Sequence, residues 1–132
     1  MWHPKTSAFE KRMHELLLEV DAELEDRYGD RYPLHPARAR HGETASGQYS
    51  GLFSVQTHFT PGYGSELGRG YILDVEMVTL ADVPDDVREQ IEAEAARRIE
   101  EKLRERFPER ELSVERDRAA FKIRGDFSLG EA

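Results

Sequence analysis

Cysteine is absent from the 132 residues, which excludes disulfides, thiolate zinc sites, iron–sulfur ligation and cysteine nucleophiles together. Any chemistry must rest on oxygen and nitrogen groups. Long apolar runs are missing too. The longest aliphatic stretch, Leu16-Leu17-Leu18, falls far below the ~20 residues of a spanning helix. Met1-Trp2-His3-Pro4-Lys5 lacks the apolar segment of a secretory leader. The expectation is a cytoplasmic protein with no membrane partner. Positive charge is in deficit: 19 Lys+Arg face 27 Asp+Glu, and the formal net charge of −8 repels nucleic-acid backbones as a long-range field. No nucleic-acid partner is expected.

What is present suffices for one folded domain over residues 1–132. Hydrophobic residues make up 38% of the chain, enough to escape disorder by composition, and a chain this long buries roughly two thirds of its unfolded surface. Phe9, Met13, Leu16, Leu17, Val20, Leu24 and Tyr28 trace the stripe of an amphipathic helix. Ser7 and Glu10 read as a capping box at its start, and Gly29 as a left-handed C-terminal stop. A second helix is predicted from Pro84, with Asp82, Asp85 and Asp86 at the positive end of its dipole. The pairs Glu94/Arg98, Glu100/Arg104 and Arg97/Glu101 mark a wet outer face. Its apolar row, Val87, Ile91, Ala95, Ile99, Leu103 and Phe107, steps by four and drifts around the helix by roughly 40° per step. One end should meet a sheet, and the other the first helix or a second subunit.

Phe53, Val55, Thr57 and Phe59 alternate with polar residues, as do Tyr71, Leu73, Val75 and Met77, giving one hairpin. Leu112 and Val114, a turn at Arg116-Asp117-Arg118, then Phe121 and Ile123 give a second hairpin. Gly125 reads as a bulge or strand end, with Phe127 and Leu129 as its continuation. The predicted fold is α+β, a two-layer sandwich in αββαββ order, with a four-stranded, mainly antiparallel sheet and two helices on one face. A shift of 79 residues superposes Leu16, Val20, Leu24 and Tyr28 on Ala95, Ile99, Leu103 and Phe107, a faint internal repeat.

Two connections exceed what their neighbours need. One runs over about 29–51, and Arg31, Arg38, Arg40, His35 and His41 make it locally cationic against Asp30 and Glu43. The other is the hairpin loop 61–70, in which Gly62, Gly64, Gly68 and Gly70 can turn backbone N–H groups toward an anion. Arg38, Arg40, His41, Gly62, Gly64, Gly68 and Arg69 are therefore the candidate anion-binding residues. The two loops leave opposite ends of one strand, roughly 26 Å apart, so a shared site requires the first loop to fold back across the sheet.

Arg40-His41-Gly42-Glu43-Thr44 resembles the Arg-His-Gly signature of the histidine phosphatase and phosphoglycerate mutase family, in which the histidine takes up a phosphoryl group. The likeness covers five residues. Pro33 and Pro36 stand where that family has a buried strand, and only 88 residues follow Thr44, in the wrong order for its large α/β sheet. His35, His41, His58 and Glu43 offer metal donors, yet no His-x-x-His or His-Glu-x-x-His spacing occurs. No metal and no cofactor are expected. Asp74 and Glu76 share a strand face beside Gln56 and His58, and read as the polar side of a one-sided sheet. Ile72, Val78 and Leu80 fall on that face as well and form the candidate interface of a homo-oligomer.

The expected function is a small, non-enzymatic interaction or ligand-binding module that self-associates and holds an anionic group. The alternative is a small enzyme on a phosphorylated or carboxylated metabolite. There Arg38, Arg40 and Arg69 would grip the anion, and His41 or His58 would move a proton.

Overall fold

Period-2 alternation between Phe53 and Thr60 forms a strand, and the same rule carries the rest of the sheet. The computed structural model describes residues 4–41, 50–60, 70–117 and 120–125. The elements are α1 (Pro4–Tyr28), β1 (Phe53–Thr60), β2 (Gly70–Met77), α2 (Asp85–Arg106), β3 (Ser113–Asp117) and β4 (Ala120–Arg124), with a 3-10 turn at Pro108–Arg110. The architecture is α+β in αββαββ order. All strand pairs are antiparallel and the sheet order is β1-β2-β4-β3, so β1 and β3 are edges and the two helix–hairpin halves meet at β2 and β4.

Register follows from burial. Phe53 pairs with Met77, Val55 with Val75 and Tyr71 with Ile123, placing the apolar rows of successive strands on one face. Both helices contribute to the core on that face: Leu16, Val20 and Leu24 from α1, and Ile91, Ile99 and Leu103 from α2, are all at most 2% exposed. The winding row of α2 divides as its drift requires. Its C-terminal end goes to α1, where the Phe9 and Phe107 rings lie 5.1 Å apart. The guanidinium of Arg12 caps the Phe107 ring at 4.3 Å. Among the described residues no helix is long and apolar enough to cross a membrane.

The helix ends differ from the reading above. α1 begins at Pro4, placing Ser7 inside the helix rather than at its cap; proline suits a first turn because its missing N–H has no partner there anyway. Gly29 does close α1, its N–H donating to the Glu25 carbonyl at 2.8 Å, but not in the left-handed conformation. Glycine is required there for room, since a Cβ would come within 2.5 Å of the Glu25 backbone carbonyl oxygen. Gly125 ends β4 at φ 145°, and the proposed continuation through Phe127 and Leu129 lies outside the described residues.

The outer face of α2 is drier than its spacing implies. Glu94 is only 6% exposed and accepts hydrogen bonds from the Tyr28 hydroxyl of α1 and from Arg98. Arg98 also pairs with Glu23 of α1 at 3.0 Å, and Lys102 with Glu23 at 2.9 Å. The i, i+4 pattern sees only one helix, whereas here a neighbouring helix supplies the partners. These pairs hold the carboxyls of Glu23 and Glu94 below their usual range against the opposing effect of burial.

Candidate functional site

The described part of the long connection after α1 does not cross the open face of the sheet. Residues 29–41 run past the end where β1 starts and β2 stops: the His35 N–H donates to the Val78 carbonyl at 3.0 Å, and the Val78 N–H to the Leu52 carbonyl at 2.7 Å. A parallel bridge joins Ala39 to Ser50, and the Gly51 N–H donates to the Ala39 carbonyl at 2.8 Å. Arg38 fastens this arrangement. Its Nε donates to the Gly51 carbonyl at 3.0 Å and its Nη2 to the carbonyls of Ser50 and Phe53 at 3.3 and 2.9 Å. That candidate anion ligand thus serves the backbone of the strand entry.

A cavity of about 560 Å³ opens between this connection and the last turns of α1. Arg31, Arg40 and His41 line it, as sequence composition suggested for the segment, but so do Glu25, Asp26 and Asp30, along with the less polar surface of Tyr32, Pro33 and Leu34. Gly62, Gly64, Gly68 and Arg69, in the hairpin loop, lie outside the described residues. The described part of the first connection sits at the opposite end of β1 from that loop.

Here α1 carries two carboxylates one helical turn apart, Glu25 lining the cavity and Asp21 buried behind it. Asp21 is 1% exposed, and among the described residues no donor meets hydrogen-bond geometry with either of its carboxylate oxygens, although the Val55 N–H lies on its side of β1. Burial pushes its pKa from 3.8 up to about 7, the Glu25 charge adds to the rise, and Arg38 and the Val55 N–H oppose it weakly. Glu25 is half-buried, and its carboxyl is also raised by burial, against the pull of the Phe53 N–H, His41 and Arg38. The Phe53 N–H donates to Glu25 Oε2 at 2.9 Å, which fixes that side chain to the start of β1. Gly51, at φ 80°, leaves the space that the Glu25 carboxylate occupies, and a Cβ there would overlap it. His41, exposed at the end of the described segment, completes the group. One donor atom from each of Asp21, Glu25 and His41 lies within 4.8 Å of the others.

Sequence reasoning named His41 and missed both carboxylates. A signal existed: Asp21 falls four residues after Leu17 and three before Leu24, inside the apolar stripe rather than beside it. A carboxylate there must be buried once the stripe is.

Residues 4–125 match the model of a family described as "Uncharacterised protein". The chain belongs to that family. It is also 39% identical over 123 residues to an "Uncharacterized protein" of Borreliella burgdorferi (strain ATCC 35210 / DSM 4680 / CIP 102532 / B31), a match covering 93% of this chain and 96% of that protein. No solved structure matches. The span matched by the family contains Asp21, Glu25 and His41 and both hairpins.

The other candidates do not converge. β2 stops at Met77, so Ile72 alone of the proposed interface lies on the strand, while Val78 and Leu80 lie beyond it with the Thr79 N–H turned back to the Met77 carbonyl. Leu80 is 72% exposed, Val78 and Ile72 are half-buried, and the three form no single row. On the same face of the sheet Lys122, paired in register with Ile72, is 1% exposed. His58 Nε2 lies 3.7 Å from Asp74 Oδ2 across the hairpin, with both side chains more than half exposed, which matches a solvated polar face. His35 Nδ1 accepts the Ala37 N–H at 3.0 Å and so shapes a turn.

Proposed function

We propose that this protein is a small-molecule-binding module whose site is the cavity between the C-terminal turns of α1 and the 29–41 connection. The observation that carries the reading is a cavity of about 560 Å³, within the size range of metabolite sites, on which both signs of charge converge beside an apolar wall. Arg31, Arg40 and His41 suit an anionic group, whether carboxylate or phosphate, because guanidinium can grip either with parallel hydrogen bonds. Glu25, Asp26 and Asp30 favour an amine or hydroxyl elsewhere on the same molecule. The expected ligand therefore carries both kinds of group, with a short apolar portion against Tyr32, Pro33 and Leu34.

The test is a thermal-shift panel of amino-carboxylate, phosphorylated and plain carboxylate metabolites, run in chelator so that only the protein's own groups act. Ligands of the first two classes should raise the melting temperature by mass action. The rise should shrink in Arg40→Ala and in Asp26→Asn. A panel with no stabilising compound, or stabilisation equal in both variants, would reject the cavity as the site.

A further inference from the structure

Asp21 is the side chain hardest to reconcile with a purely structural role. A carboxylate buried to 1% exposure with both oxygens unpartnered is costly to ionise. Folds keep such groups when something absent from the bare chain completes them. We infer that Asp21, Glu25 and His41 bind a divalent first-row transition-metal ion at the floor of the cavity.

The geometry supports this in four ways. Donor atoms of the three residues already lie within 4.8 Å of one another, and ligands held about 2.1 Å from a shared ion stand roughly 3 to 4 Å apart. Small side-chain rotations close the difference. Second, Asp21 and Glu25 are spaced i, i+4, so both project from one face of α1 near the core, the most rigid place available. His41 arrives from a segment pinned by the Ala39–Ser50 bridge and the Gly51-to-Ala39 hydrogen bond. Third, two carboxylates and one imidazole carry a charge that offsets a divalent ion; the imidazole favours Zn²⁺ over Mg²⁺ or Ca²⁺, which prefer oxygen alone, and the carboxylate pair also suits Mn²⁺. Fourth, Glu25 and His41 line the cavity whereas Asp21 lies behind them, so the positions left open by three protein ligands face the cavity. An anionic group entering the cavity could complete the coordination there.

The inference needs no small-molecule ligand and goes beyond the binding reading above. Its experiment is calorimetric titration of EDTA-stripped, buffer-exchanged protein with Zn²⁺ and with Mn²⁺, with Mg²⁺ and Ca²⁺ as comparators. One equivalent of Zn²⁺ or Mn²⁺ should bind, with affinity reduced at least tenfold in Asp21→Asn, Glu25→Gln and His41→Ala. Metal-free Asp21→Asn should melt no lower than wild type, so its loss of binding cannot be unfolding. Absence of saturable binding by both ions, or affinity unchanged in all three variants, would overturn the site and leave Asp21 and Glu25 as a carboxyl pair sharing a proton. A ligand found in chelator without any metal uptake would reject the metal site alone, and metal uptake without a ligand would reject the cavity reading alone.

Discussion

Asp21 and Glu100 stand 79 residues apart, at the same point of the two helix–hairpin halves, and only Glu100 has a hydrogen-bond donor. In the second half the Glu100 carboxylate accepts the Val114 N–H of edge strand β3 at 3.0 Å and also pairs with Arg104. In the first half Glu25, one turn further along α1, takes the equivalent duty at edge strand β1 by accepting the Phe53 N–H. Asp21 is left behind it, deeper, and among the described residues forms no hydrogen bond of good geometry. The second half shows that a carboxylate at this point of the helix can be satisfied by the edge strand, so the orphan in the first half is not imposed by the architecture.

That orphan sets a pH dependence. In the folded chain Asp21 holds its proton up to about pH 7, whereas an unfolded chain releases it near 3.8. The folded state therefore binds more protons over that window, and stability falls as pH rises from about 4 to about 7 and stays lower above it. Burial raises Glu25 in the same direction. The linkage at Asp21 amounts to on the order of 4 kcal/mol, and the buried amide of Asn would return part of it as its own unmet hydrogen bonds. In chelator at pH 8, Asp21→Asn should be more stable than wild type by roughly 1 to 2 kcal/mol, and near pH 4, where wild type regains the linkage, the order should reverse and the variant be the less stable by roughly 2 to 3 kcal/mol. Urea midpoints across that range decide the matter, and a difference constant with pH would remove the carboxylate as its source.

The seam between the helices makes a second prediction. Tyr28 donates its hydroxyl to Glu94, which is buried and also contacts Arg98 and Arg27. Tyr28→Phe keeps the ring against Phe53 but removes one donor from a buried carboxylate, at a cost of about 1 to 3 kcal/mol. Glu94→Gln should cost less in the Tyr28→Phe background than in wild type, because both changes break one contact. A double-mutant cycle by chemical denaturation measures this coupling, and simple additivity would show that the contact carries no energy.

How much of this was legible beforehand follows from what each signal can see. Alternation at Phe53–Phe59 and Tyr71–Met77 and the stripe from Phe9 to Tyr28 depend on one buried face each, and they led to the αββαββ sandwich and to a face shared by Asp74 and Gln56. The same rules misplaced the start of α1 and the outer face of α2, because Pro4 and the partners of Glu94 act through position and a neighbouring helix rather than periodicity. His41 was visible as part of a cationic segment, but its companions were not. They come from a helix 16 and 20 residues earlier, brought near only when the connection passes the start of β1 and bridges Ser50. Spacing motifs for metals detect donors on one element or in one loop, and this set spans two.

Gly51 tests whether the floor of the cavity is shaped by the strand entry. Its φ of 80° is unfavourable for any residue with a side chain, and a Cβ would press on the Glu25 carboxylate. Gly51→Ala should lose about 1 to 2 kcal/mol from the backbone conformation alone and displace Glu25 from the Phe53 N–H. The amide resonance of Phe53 should then shift and exchange with solvent faster than in wild type. Unchanged stability with an unchanged Phe53 resonance would mean that the segment relaxes freely and does not position Glu25.

Arg38 separates a fastening role from a ligand-gripping one. Its guanidinium donates to the carbonyls of Ser50, Gly51 and Phe53, three acceptors along one bend of backbone. A fork of several fixed donors can serve them together, while a lysine ammonium on its flexible stem cannot. Arg38→Ala should therefore destabilise the protein by roughly 2 to 3 kcal/mol, the cost of leaving such carbonyls without a charged donor, and Arg38→Lys should recover less than half of that. The loss should be the same with or without any anion in the buffer. Were Arg38 instead a ligand for an anion, its removal would leave the bare protein's melting temperature intact and abolish only the anion's stabilising effect. Melting curves of the two variants with and without phosphate distinguish these outcomes directly, because the first role acts on folding and the second on binding alone.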